Sequence, residues 1–126
     1  MAEDRLTFKE MCAEFEVTPR TLRYYEYIEL LQPDREGRSR FYGPRERARM
    51  KMILQGRKWG FSLESIRQWL LIRDERGDRS QAEVWMTASK EQLAELRDQR
   101  AQLDEAIEEL EAQRIKTAEF LASFED

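Results

Sequence analysis

A seven-residue interval governs the last third of this chain. Met86, Leu93, Arg100, Ile107, Arg114 and Leu121 stand seven apart, and Ser89, Leu96, Leu103, Leu110, Thr117 and Phe124 repeat the interval three positions later. Such a series is the a and d seam of a heptad coil, here sustained for more than five heptads. At ~1.5 Å per residue, a helix from Trp85 to Phe124 is about 60 Å long. A lone helix of that length cannot bury its seam and needs a partner helix. No glycine or proline after Gly77 marks a hairpin, so the pattern predicts pairing with a second copy rather than a fold-back. Leu93, Leu96, Leu103, Ile107, Leu110 and Leu121 are the expected dimerisation residues. Arg100 and Arg114 at a positions are costly in a dry seam. They specify a register, or pair with nearby acids such as Asp104 or Glu111 of the partner subunit.

The same composition closes off several kinds of chemistry. The chain has one cysteine, Cys12, and no histidine. An intramolecular disulfide is impossible, and Cys–His or Ser–His–Asp catalysis is absent by composition. A Cys/His zinc site within one chain lacks ligands. The acids follow helical patterns without an apolar pocket to raise a pKa. Neither a catalytic centre nor a metal or other cofactor is expected. The amino-terminal stretch MAEDRLTFKE is charged and lacks an apolar run, so a signal peptide is not expected. No stretch approaches the ~18 apolar residues of a membrane span. The expected location is the cytoplasm, with no membrane partner.

The net charge of −4 conceals a split. Residues 1–73 hold 15 Lys/Arg and 11 Asp/Glu, whereas residues 74–126 hold 7 and 15. Between Val17 and Lys58 the count is 11 against 5. A basic segment joined to an acidic tail points to local nucleic-acid binding despite the acidic total.

Within that basic segment lies VTPRTLRYYE, from Val17 to Glu26. Thr18 can cap a helix whose first residue, Pro19, has no N–H to leave unpaired. Arg20, Arg23, Tyr24 and Tyr27 then share one face, while Leu22 and Tyr25 point elsewhere. Arginine and tyrosine suit phosphate oxygens and base edges. A preceding helix is predicted from about Thr7 to Phe15, with Phe8, Met11, Cys12 and Phe15 on its apolar face. Cys12 on that face is a small buried hydrophobe rather than a reactive thiol. Two short helices joined by Glu16-Val17-Thr18 form a helix-turn-helix. Pro33 and the turn residues Asp34 to Gly37 then predict a small hairpin, with Ser39 to Tyr42 as a strand and Arg35, Arg38 and Arg40 projecting. A third helix is expected from Pro44 to Lys58, and a fourth from the Ser62 cap with Leu63, Ile66, Trp69 and Leu70 as its stripe. Arg57 and Lys58 precede the intervening turn. RDERGDRS, Arg73 to Ser80, reads as a charged linker.

The ordered stretches TLRYYE, ELLQP, GRSRFY and RKWGFSLESIRQWL within Leu6 to Leu71 resemble the DNA-binding domain of the mercury-resistance-regulator (MerR) family of bacterial transcription factors. The resemblance implies a mainly α fold: a winged helix-turn-helix over residues 1–73, a linker over 74–80, and a long antiparallel coiled-coil dimerisation helix over 81–126. It implies a homodimeric regulator of a palindromic promoter operator that acts by distorting DNA, with RNA polymerase an indirect partner. By resemblance, Thr18, Arg20, Thr21, Arg23 and Tyr24 belong to the recognition helix and its cap, Arg38, Arg40 and Tyr42 to the first wing, and Arg57 and Lys58 to the second. Arg20 is the candidate base reader; Arg23 and Tyr24 are phosphate anchors. Glu16 and Glu29 replace glycines of the commonest family pattern, which puts the local backbone angle in question, since glycine tolerates positive φ best.

Metal-sensing and iron–sulfur relatives use cysteines in or after the dimerisation helix, and this chain has none there. A small organic effector at the junction before that helix remains, with Trp69, Trp85 and Met86 as candidates. GRSRFYGPRERARMKMILQGRKWGFSLESIR also resembles the branch that controls branched-chain amino-acid and acyl-CoA catabolism, typically repressors relieved by a pathway metabolite. The residues taken without the resemblance also suit a DNA-architectural protein lacking an effector, or a coiled-coil adaptor that touches an acidic protein.

Overall fold

The computed structural model describes residues 4–125. The elements run β1 (Leu6–Thr7), α1 (Phe8–Phe15), α2 (Pro19–Tyr27), β2 (Asp34–Glu36), β3 (Ser39–Tyr42), α3 (Pro44–Lys58), α4 (Leu63–Arg76) and α5 (Asp78–Ala122). The chain divides into two compact units between Trp85 and Met86. Among the described residues no helix is long and apolar enough to cross a membrane.

Local chemistry sets the boundaries in the first unit. The Thr7 hydroxyl accepts from the Glu10 N–H while the Glu10 carboxylate accepts from the Thr7 N–H, a reciprocal capping box that starts α1. Thr18 and Ser62 cap α2 and α4 in the simpler way, each accepting from the N–H three residues on. Helices α1 and α2 end alike. The N–H groups of Glu16 and Val17 reach back to Ala13 and Cys12, and those of Glu29 and Leu30 to Glu26 and Tyr25. This closure requires a left-handed residue, and Glu16 (φ 53°) and Glu29 (φ 64°) take that conformation despite their side chains. The two positions questioned from sequence are thus the two non-glycine residues with positive φ among those described.

The sheet has the antiparallel order β1-β3-β2, with Leu6 opposite Tyr42 and Arg35 opposite Arg40. Gly37 turns the hairpin at φ +64°, a conformation glycine adopts at low cost. The strand β1 was absent from the sequence reading, since two residues carry no periodic signal.

Met11, Leu22, Leu30, Leu31, Tyr42, Met50, Ile53, Ile66 and Leu70 form the buried centre. Helix α3 runs through it and fixes its neighbours by polar contacts as well. The Glu46 carboxylate accepts from the Gln32 N–H, and the Arg49 guanidinium donates to the Leu30 carbonyl. Arg45 and Arg49 both pair with Asp74 of α4, at 3.1 Å each. Burial alone raises the Asp74 pKa, but these two guanidiniums outweigh it and hold the carboxyl below its ordinary range. Gly56 permits a close contact between α3 and α4. A β-carbon there would lie 2.8 Å from Ile66 Cδ1.

The stretch expected as a linker is largely helical. Arg73–Arg76 completes α4, Gly77 (φ +89°) makes the break, and Asp78 begins α5. A single glycine suffices because Arg73 pairs with Asp78 across it at 3.0 Å. The second unit, Met86–Asp126, contains the remainder of α5, a helix with no buried residue. From Leu93 onward its heptad row is exposed, with Leu103 at 64% and Leu110 at 63%.

Gly56→Ala tests the α3–α4 contact. Alanine gains up to about 1 kcal/mol in helix propensity, but overpacking against buried Ile66 costs about 1–3 kcal/mol. The expected outcome is a lower urea midpoint with an unchanged m value, which equilibrium unfolding followed by circular dichroism will check.

Candidate nucleic-acid interface

Helix α2 presents two faces. Leu22 and Tyr25 are buried, whereas Arg20, Arg23, Tyr24 and Tyr27 are exposed. The Thr18 hydroxyl serves as the cap and also donates to Thr21 Oγ1, so both threonines are committed first to the helix start. Arg20 forms no ion pair among the described residues, which leaves its guanidinium available at the first turn.

The wing meets α2 through one carboxylate. Glu26 is nearly buried and accepts a hydrogen bond from the Tyr42 hydroxyl. Its other oxygen lies 3.4 Å from Arg40 and 4.0 Å from Arg35. The two arginines face each other across the β2–β3 register. Directly opposed like charges destabilise a strand pair, and Glu26 supplies the intervening negative charge. Tyr42 is 0% exposed, so this residue, expected from sequence to contact DNA, is instead a support for the wing. Burial, reinforced by its hydrogen bond to Glu26, raises the Tyr42 phenol above its ordinary pKa.

Between α2, the wing and the start of α1 lies a cleft of about 400 Å³. Its lining brings together Arg23, Arg38 and Arg40, three of the residues named from sequence as DNA contacts, and adds Lys9, Thr7 and Phe8. The Arg23 and Arg40 guanidiniums each lie 5.4 Å from the Phe8 ring centroid, on whose face they are held. Four cations converge there, and only Arg40 has an acidic partner among the described residues. Charge of this density suits a phosphate backbone. Lys9 was missed from sequence. The available signal was that it is the sole cation between Phe8 and Phe15.

Other expected residues lie outside the cleft. Tyr24 is half-exposed and tilted against Tyr25. The Arg57 guanidinium donates to the Phe61 carbonyl at 3.2 Å, bracing the α3–α4 turn, whereas Lys58 is exposed and forms no ion pair among the described residues. Cys12 is half-buried, and desolvation raises its thiol pKa, which disfavours the reactive thiolate.

Trp69 and Trp85, expected near an effector, do meet. Their rings are 5.1 Å apart and nearly perpendicular, with Phe61 4.5 Å from Trp69 and Trp59 5.8 Å from Trp85. Met86, the third candidate, falls in the other compact unit and is 68% exposed. Trp59 and Phe61 were not among the effector candidates named from sequence.

A capped helix pair, a charge-anchored wing and a basic cleft between them define a winged helix-turn-helix protein. Residues 6–71 match the MerR HTH family regulatory protein domain, and residues 47–113 match the MerR DNA-binding region. The chain belongs to the MerR family, whose members are transcriptional regulators rather than enzymes. It is 44% identical over 66 residues to the HTH-type transcriptional regulator ZntR of Escherichia coli, across 51% of this chain and 47% of ZntR. The chain thus matches about half the length of that curated relative. The crystal structure of a MerR-family transcriptional regulator from Bacillus cereus superposes with a TM-score of 0.72 at 26% identity, covering 86% of this chain and 78% of that one. HiNmlR, a MerR-family regulator lacking the sensor domain and crystallised with promoter DNA, shares the fold with a TM-score of 0.66 at 19% identity, over 82% and 79% of the two chains.

Two tests address the wing anchor. Glu26→Gln retains an acceptor for Tyr42 but removes the charge that Arg35 and Arg40 face. A stability loss of about 1–3 kcal/mol is expected by urea unfolding. The Tyr42 phenol predicts an alkaline limit. Its folded pKa is raised, so the unfolded chain ionises first, and stability present below about pH 10 is lost as pH rises beyond it. Between about pH 9 and pH 11, Tyr42→Phe should lose less of its urea midpoint than the wild type does.

Proposed function

We propose that this protein is a homodimeric transcription regulator that binds a palindromic promoter operator and acts by distorting it. The observation that carries the reading is the cleft where Lys9, Arg23, Arg38 and Arg40 converge beside the exposed Arg20 face of α2. Phosphates held in such a cleft fix the register of a recognition helix, and Arg20 then reads a base edge, with guanine its natural bidentate partner. The exposed heptad row of α5 supports dimerisation, because a row of leucines on a helix without buried residues needs another helix. Two-fold symmetry in the protein calls for a palindrome in the DNA. HiNmlR, with the same fold, was crystallised on promoter DNA, which supports the same class of ligand here. Distortion rather than simple occupancy follows the family's mode of action, with deformation energy set against protein contacts. Polymerase is engaged indirectly at the promoter, in the cytoplasm, and the branch resemblance supports repression relieved by a small organic effector.

Binding to the DNA upstream of the protein's own gene and its neighbours, titrated against shuffled DNA at two salt concentrations, tests the reading. Arg20→Ala should lower selective affinity by about tenfold, since a bidentate base contact is worth ~1–3 kcal/mol. Arg38→Ala should weaken all sequences together and reduce the salt slope by about 1. Selective binding that survives Arg20→Ala unchanged excludes the base-reading role. Binding that is unselective and vanishes with salt leaves an architectural function or a coiled-coil adaptor.

A further inference from the structure

The largest aromatic cluster of the first unit borders a cavity of about 430 Å³ formed by α3, α4 and the first turns of α5. That volume falls within the ~300–1,000 Å³ of small-molecule sites. Its walls are mainly apolar: the rings of Trp59, Trp69 and Trp85, the Met52 thioether, and the small Gly56 and Ala82, which leave the space open. Trp69 and Trp85 meet edge to face while Trp85 and Trp59 are inclined at 43°, so the rings that border the cavity lie in more than one plane. The polar edge is sparse. The Gln81 amide is already spent, donating to the Trp69 carbonyl at 2.9 Å and touching Met52 Sδ. Asp78 is spent too, paired with Arg73. Lys51 is the remaining charge in the lining, an exposed ammonium with no acidic partner among the described residues.

We propose that this cavity, with Lys51 at its edge and the three tryptophans as its walls, is the binding site for a flat aromatic carboxylate. The inference rests on the regulator reading and names the chemistry of its effector. Stacking on indole faces recognises the ring. The Lys51 ammonium selects a single negative charge, and the paired Asp78 adds no uncompensated acid to oppose it. The volume suits a one- or two-ring acid.

All three tryptophans of the chain line this cavity, so intrinsic fluorescence reports on it alone. The probe pair is 4-nitrobenzoate, a flat anion that quenches indole emission, and its neutral analogue 4-nitrobenzamide. The full chain should show saturable quenching by the benzoate. Lys51→Met should weaken that binding by about three- to tenfold while leaving the benzamide affinity within about twofold, as expected for loss of one exposed charge-assisted contact. Ala82→Phe fills the cavity from α5 and should abolish saturable quenching by both probes, while retaining the wild-type circular dichroism and affinity for the operator fragment. Strictly linear, unsaturable quenching in the wild type overturns the proposal. So does quenching that Ala82→Phe leaves intact, or tryptophan emission that shifts on dilution through the dimer–monomer transition without any response to either probe, which would assign the cavity to a second copy of the chain. Operator binding measured on the same samples without probe separates the two readings. Its absence overturns the regulator reading, whereas its presence without saturable quenching overturns only the effector site.

Discussion

The carboxylate of Glu26 is the contact on which the interface depends. It sits on the last turn of α2 and is nearly sealed from solvent. A buried carboxylate is unfavourable unless its charge and lone pairs are satisfied. Tyr42, Arg40 and Arg35 satisfy them, and all three come from the wing. Helix α2 therefore cannot keep its end buried without the wing in place. The wing in turn cannot hold Arg35 opposite Arg40 without the helix. This mutual requirement fixes Arg23 and Arg40 on the Phe8 ring and opens the cleft between them.

Helix α3 does the comparable service for the rest of the first unit. Met50 and Ile53 supply its apolar contacts, while Glu46, Arg47 and Arg49 reach the Gln32 N–H, Glu14 and the Leu30 carbonyl. The loop after α2 thereby loses its freedom, although only Glu29 supplies the left-handed turn. On the far side Gly56 lets α4 approach closely, which brings Trp69 towards Trp59 and Trp85. One helix thus braces α1, the loop after α2 and the aromatic cavity. The helix that lines the cavity also contacts α1 and the wing strand β3.

Much of this was legible in the chain itself. Thr18-Pro19, Gly43-Pro44 and Ser62 mark helix starts by chemistry that acts within three residues, and the helices begin there. The pairing of glutamate with left-handed backbone at positions 16 and 29 was likewise a local question with a local answer. What escaped was long-range. Nothing near Tyr42 in sequence distinguishes a phenol aimed at DNA from one turned inward to Glu26, 16 residues earlier. Arg73 to Ser80 looked like a linker because its charges gave no apolar stripe, yet its ion pairs let helix run on both sides of Gly77.

The sequence by itself determined the order of the helices and the hairpin, the heptad row and the segregation of basic and acidic charge, because capping, periodicity and charge are properties of neighbouring residues. The tertiary structure alone decided which arginines share a cleft, that Lys9 joins them, that Tyr42 is withdrawn from it, and that three distant tryptophans line one cavity. Those outcomes depend on burial: a side chain's partner is settled only when water is excluded around it, and the groups that exclude it come from elsewhere in the chain.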